Sequence, residues 1–154
     1  MLREQSGFRS SSNIRDALVA QHEGLRRLLN DTIELVEEQA LSGVDLETLR
    51  VRARELYLIA DAQLTFEEGA LPVALRDVIG WGDVLQSEIE ADHRRRRVEI
   101  GIALTALEPD SLSWVELADD VRTFAGALLL DLNRDDASLL VADVDAVMTD
   151  SNGG

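Results

Sequence analysis

Four stretches of the chain repeat apolar residues at alternating three- and four-residue intervals, the spacing that lays one buried stripe along a helix. The first stripe is Ile14, Leu18, His22, Leu25, Leu29, Ile33 and Val36. The second is Leu46, Leu49, Ala53, Leu56 and Ala60, continuing through Gln63 and Glu67 to Leu71. The third is Leu85, Ile89, His93, Ile100, Leu104 and Leu107, and the fourth runs Trp114, Leu117, Val121, Phe124, Leu128, Asp131, Asp135, Leu139, Ala142. No segment alternates with period two over a useful length, so no sheet is expected.

Punctuation between the stripes predicts where the helices begin and end. Asn13 is placed to cap the first helix with Asp16 in its first turn, and Ser42-Gly43 to stop it. Asp45 caps the second, which runs to about Arg76 with Pro72 in its last turn. Gly80-Trp81-Gly82 reads as a turn, Asp83 as the third cap, and Glu108-Pro109-Asp110 as a break. Ser113 and Glu116 have the spacing of a capping box for the fourth helix. Four such helices with short connections imply an all-α, antiparallel up-down-up-down four-helix bundle over residues 13–143. Residues 1–12 are expected to be a flexible N-terminus and 144–154 a C-terminal tail.

Each stripe carries a polar intruder where hydrocarbon belongs: His22, Gln63 with Glu67, His93, and Asp131 with Asp135. In an up-down-up-down bundle, distances counted from the helix ends put these side chains at one height, to within about a turn at ~1.5 Å per residue. His22 precedes Gln63-x-x-x-Glu67 at nearly the spacing at which His93 precedes Asp131-x-x-x-Asp135. Two similar helical hairpins would then face each other, each bringing one histidine and an i,i+4 polar pair to the same layer. Buried polar groups of this kind need a partner.

Composition narrows the chemistry. With 30 acidic against 15 basic residues the formal net charge is −15, which repels phosphate backbones and disfavours nucleic acid as a partner. There is no cysteine, hence no disulfide, thiolate ligand or cysteine nucleophile. No run approaches the roughly 18 apolar residues of a membrane span. The first dozen residues have no apolar stretch of the secretory type, and a cytoplasmic protein is expected. No Ser-His-Asp arrangement or glycine-rich phosphate loop is present, so the expectation leans away from an enzyme.

Over roughly Ile14 to Ala142 the pattern resembles the hemerythrin-like (HHE) domain family, a four-helix bundle that holds a non-haem di-iron centre and acts in oxygen carriage, oxygen or nitric oxide sensing, and iron handling. The resemblance rests on His22, on His93, and on Glu67 within the context Leu64 to Pro72. The family usually places histidines where this chain has Gln63 and Asp131, a carboxylate where it has Asp135 or, with a longer spacing, Asp136, and often a further histidine at the position of Arg97. By that resemblance the candidate metal residues are His22, Gln63, Glu67, His93, Asp131 and Asp135, and the implied cofactor is one or two iron ions.

Two functional readings follow. The substitutions at Gln63, Asp131 and Arg97 favour a metal-free bundle kept as an interaction or regulatory module with a protein partner. In it, Arg96 or Arg97, from the run Arg94 to Arg97, folds inward and neutralises Glu67, Asp131 or Asp135. The alternative is a non-haem metal protein with an altered ligand set, in oxygen, nitric oxide, redox or iron handling. Glu68 and Asp136 are expected to face solvent, Tyr57 to pack at a helix seam, and Trp81 and Trp114 to close opposite ends of the core.

Overall fold

The protein, seen in a computed structural model, is described over residues 2–42, 45–108 and 112–152, with side chains over 11–38, 45–108 and 112–146. Four helices make up the fold, with no strand among the described residues: α1 (Leu2–Ser42), α2 (Leu46–Ala74), α3 (Gly82–Ala106) and α4 (Trp114–Asn152). They pack as the expected four-helix bundle. Arg15, early in α1, meets Asp77 just beyond α2 and Asp143 late in α4, which fixes both neighbours as antiparallel to α1.

Two of the expected caps are present. The Asp45 carboxylate accepts from the Glu47 N–H at 3.2 Å. Ser113 and Glu116 form the reciprocal capping box, each side chain accepting from the other's backbone N–H at 3.2 Å. Two others differ. α1 is continuous from Leu2, so Asn13 is an exposed mid-helix residue rather than a cap, and α4 likewise continues to Asn152. α3 starts at Gly82 with Trp81 in the capping position, and Asp83 instead sits in the first turn, where the helix dipole favours it. Gly80 has φ +96°, a conformation open to glycine, and a Cβ on Gly82 would lie 3.0 Å from the Leu75 carbonyl. The expected stop at Gly43 and break at Pro109 lie outside the described residues.

The apolar core comes in two blocks. One contains Leu25 and Leu29 of α1, Leu56 to Leu64 of α2, Ile100 of α3, and Val121 to Leu132 of α4. The other contains Leu18, Leu71, Leu75, Leu85, Ile89 and Leu139. On every helix the same residues separate the blocks: His22, Glu67, His93 with Arg96, and Asp135. The polar intruders therefore do share one layer. Tyr57 lies deeper than a seam, 1% exposed, with its ring edge-on to Phe124 at 4.9 Å. Its pKa is pushed up to about 12 by burial and by Asp120. Trp81 and Trp114 flank the two different blocks, as expected. No helix is long and apolar enough to cross a membrane among the described residues.

A buried clamp closes the end of the bundle at which α1 enters. The Arg15 guanidinium donates to Asp77 at 2.5 Å, to the Ala74 carbonyl at 2.8 Å and to Asp143 at 2.8 Å, tying α1 to the end of α2 and to α4. Replacing Arg15 by Leu leaves Asp77 buried without its cation and is expected to cost about 3–5 kcal/mol in a urea melt. Asp143→Asn, at the exposed side of the same clamp, is expected to cost less than about 1 kcal/mol. Equal losses for the two variants would contradict this account of the clamp.

Candidate metal centre

Glu67 is the hub of the layer. It is 4% exposed, one position in the inward row Ala60, Leu64, Glu67, Ala70, Leu71 of α2. One carboxylate oxygen is in contact with His22 Nε2, and the other lies 2.7 Å from His93 Nε2. Burial alone would raise this carboxyl, but the two histidines outweigh it and hold the pKa at about 2. Gln63, one turn earlier, sits on the flank of the row and donates its amide to Glu67 Oε1 at 3.2 Å.

His22 is 1% exposed and has a carboxylate on each ring nitrogen, Glu67 at Nε2 and Asp136 at Nδ1, the latter 2.6 Å away. A neutral imidazole has a single N–H and can satisfy only one of them. A second positive centre, a proton or a metal ion, must therefore stand between the other ring nitrogen and its carboxylate. Burial lowers the pKa of this imidazole, yet Glu67 and Asp136 together hold it above the ordinary value. His93 differs. Its approach to Glu67 falls outside hydrogen-bonding alignment, and neither of its buried ring nitrogens has a hydrogen-bonded partner. An imidazole held in a core by one misaligned charge contact is costly, and it is the feature that best fits a further ligand.

Asp135 faces the same space from α4. Burial and the charges of Glu67 and Asp131, only partly offset by the histidines, push its pKa up to about 7. Ligand atoms of Glu67, His93 and Asp135, from three different helices, all lie within 4.8 Å of one another beside a cavity of about 20 Å³. That is room for one water or one ion. Imidazole and carboxylate donors suit iron, manganese or zinc, and the His22–Asp136 contact is of the kind that orients a ligating histidine.

The arginines divide. Arg96 is the inward one, 4% exposed, and pairs with Asp131 and with Glu99. It does not reach Glu67 or Asp135. Arg97 points outward to Asp61 at 3.0 Å and Glu68 at 2.6 Å, so of the two arginines expected as candidates to fold inward it is Arg96 alone that does. Asp136 is corrected as well. It is turned into the α1–α4 seam against His22 and Arg26 and does not face solvent. Of the six sequence candidates, His22, Gln63, Glu67, His93 and Asp135 gather around one centre, and Asp131 stands beside it on Arg96.

The sequence reading missed Arg26, the Arg15 clamp and the turn of Asp136 onto His22. A signal for them exists: Arg15 and His22 are two turns apart on α1, as are Asp136 and Asp143 on α4, and an antiparallel pairing matches them crosswise.

No family model, curated protein or solved structure matches the chain.

Without a metal, the titrations set a pH dependence. Asp135 and His22 hold protons more tightly when folded, so their contribution to stability is full below the unfolded pKa values of 3.8 and 6.5 and is lost as pH rises through the folded ones. Glu67 binds its proton less tightly when folded, so its contribution is present above 4.5 and is lost as pH falls towards about 2. Metal-free protein is therefore expected to be most stable near about pH 4, where the gain from Glu67 and the loss from Asp135 cancel, and to lose on the order of 2–4 kcal/mol by about pH 8, read from urea melts across pH. Stability that rises over that interval would contradict these assignments. In the same assay Arg96→Leu should cost about 3 kcal/mol and Arg97→Leu less than about 1 kcal/mol.

Proposed function

We propose that the protein is a non-haem metal-binding helical bundle that holds one divalent ion on Glu67, His93 and Asp135, with His22 beside them. The observation that carries this reading is the convergence of three ligand atoms from three helices within 4.8 Å, one of them on a buried histidine with no hydrogen-bonded partner. Charge supports it. Arg96 is committed to Asp131 and Arg26 to Asp136, which leaves Glu67 and Asp135 facing each other with only the histidines between them. A divalent cation balances two carboxylates and would take the place of the protons now required on His22 and Asp135.

The hemerythrin-like resemblance makes iron the first candidate and oxygen, nitric oxide, redox or iron handling the field of action. A bound metal would supply Lewis acidity and, if iron, one-electron chemistry. The chain's own contribution is orientation and exclusion of water: Asp136 holds His22, Gln63 steadies Glu67, and the apolar blocks on either side leave only a small cavity.

A second reading is favoured by the Arg96–Asp131 pair. There the layer is a closed polar network, charge-balanced by Arg96, Arg26 and a protonated His22, in a bundle that serves as an interaction or regulatory module.

Elemental analysis of protein expressed in iron-supplemented medium, and of metal-free protein reconstituted with iron(II), manganese(II) or zinc(II), decides between them. About one equivalent is expected, falling at least tenfold in Glu67→Gln. Saturation a hundredfold above Kd should stabilise the fold by about 2.7 kcal/mol, a Tm rise of several degrees. Less than about a tenth of an equivalent of every metal in both preparations leaves the closed network as the correct reading.

A further inference from the structure

We propose that the Arg96 guanidinium stands in for a second cation in the polar layer and so limits the chain to a single metal ion. The inference rests on the metal reading above and adds what sets the number of ions.

The cavity beside Glu67 is lined by four carboxylates, Glu67, Asp92, Asp131 and Asp135. Two of them join His93 in the ligand cluster, and Asp131 does not. Its oxygen is taken by the Arg96 terminal nitrogen instead. Arg96 is held there from three sides: Asp131, Glu99 across one turn of α3, and the face of Phe124, 5.9 Å from ring centroid to guanidinium carbon. Its Nε is buried and has no hydrogen-bonded partner. An arginine kept in a core with one donor unsatisfied is held by its charge rather than by a full set of hydrogen bonds.

Arg134 also touches Asp131, at 3.0 Å, but it is 59% exposed and does not replace a buried cation. Remove Arg96, and Asp131, whose charge already acts on Asp135, loses its buried cation. Glu99, which is half-exposed, loses its partner at the same time. The freed oxygens of Asp131, on the same cavity as Asp92 and Asp135, are a donor type that suits a hard divalent ion such as manganese(II). Arg96 and Asp131 line both the small cavity and the groove of about 690 Å³ beside it, so shortening the arginine adds volume next to Asp131 for a second ion.

The test is manganese(II) titration of metal-free protein, with elemental analysis and electron paramagnetic resonance as readouts. Wild-type protein is expected to take one equivalent, with the spectrum of an isolated ion, even in excess manganese. Arg96→Ala is expected to take two, with the spectrum of an exchange-coupled pair. Arg96→Gln, which keeps most of the volume and a hydrogen-bonding head without the charge, is expected to do the same and covers the case in which the alanine variant does not fold, as judged by circular dichroism. Arg96→Lys, which keeps the charge, should stay at one. Wild-type protein that takes two ions overturns the inference, and so does a folded Arg96→Gln that stays at one while wild type also takes one. Wild type that takes none overturns the metal reading itself, and this inference with it.

Discussion

A carboxylate in the middle of an apolar bundle dictates the arrangement around it. Glu67 keeps its charge although burial opposes it, because His22 from α1 and His93 from α3 stand at its two oxygens. Those two residues draw in others. His22 needs Asp136 at its second nitrogen, and Asp136 in turn needs Arg26. The layer spreads across all four helices in this way, and the hydrocarbon above and below it is divided into two blocks. A buried charge is poor value as a stabiliser and good at specifying an arrangement. Sliding α2 by one turn would set Glu67 against leucine, so the layer fixes the register of every helix.

The layer is not symmetric, although the sequence spacing suggests two equivalent hairpins. The half built from His22, Gln63 and Glu67 is knitted to α4 through Asp136. The half built from His93, Asp131 and Asp135 has no such knot. Asp131 is drawn away by Arg96, Asp135 carries a raised pKa in its place, and His93 has no hydrogen-bonded partner. The same side of the bundle is the less closely packed one. α3 and α4 share the thinnest seam, and the groove between them runs from Asp131 and Arg96 down past Phe124 to Leu117.

Helix number, order and the height of the polar layer were legible in the sequence because they follow from a stripe with a 3.6-residue period interrupted once per helix. Arg96 was legible too, with arithmetic. At about 100° per residue it lies roughly 20° off the line of Leu85 after three turns, whereas Arg97 lies roughly 120° off. The burial of Asp136 was harder to see. It belongs to a second row on α4, which faces α1, and a single stripe per helix cannot represent a helix that packs on two neighbours. The start of α1 carries little apolar signal, and the apolar residues at the end of α4, Val144, Ala146, Val147 and Met148, do not continue a single stripe, so nothing in the stripe marks where those helices stop.

The division of the core also bears on how the molecule breathes. A cooperative unit needs continuous apolar contact, and here the contact is interrupted at one height in every helix. The block nearest the Arg15 clamp is the smaller and is built partly from Ala70, Ala74 and Ala142, which bury little surface each. Amide hydrogens in that half, and along α3 where it borders the groove, are expected to belong to the part of the bundle that opens first, and those around Tyr57 and Phe124 to exchange only with global unfolding.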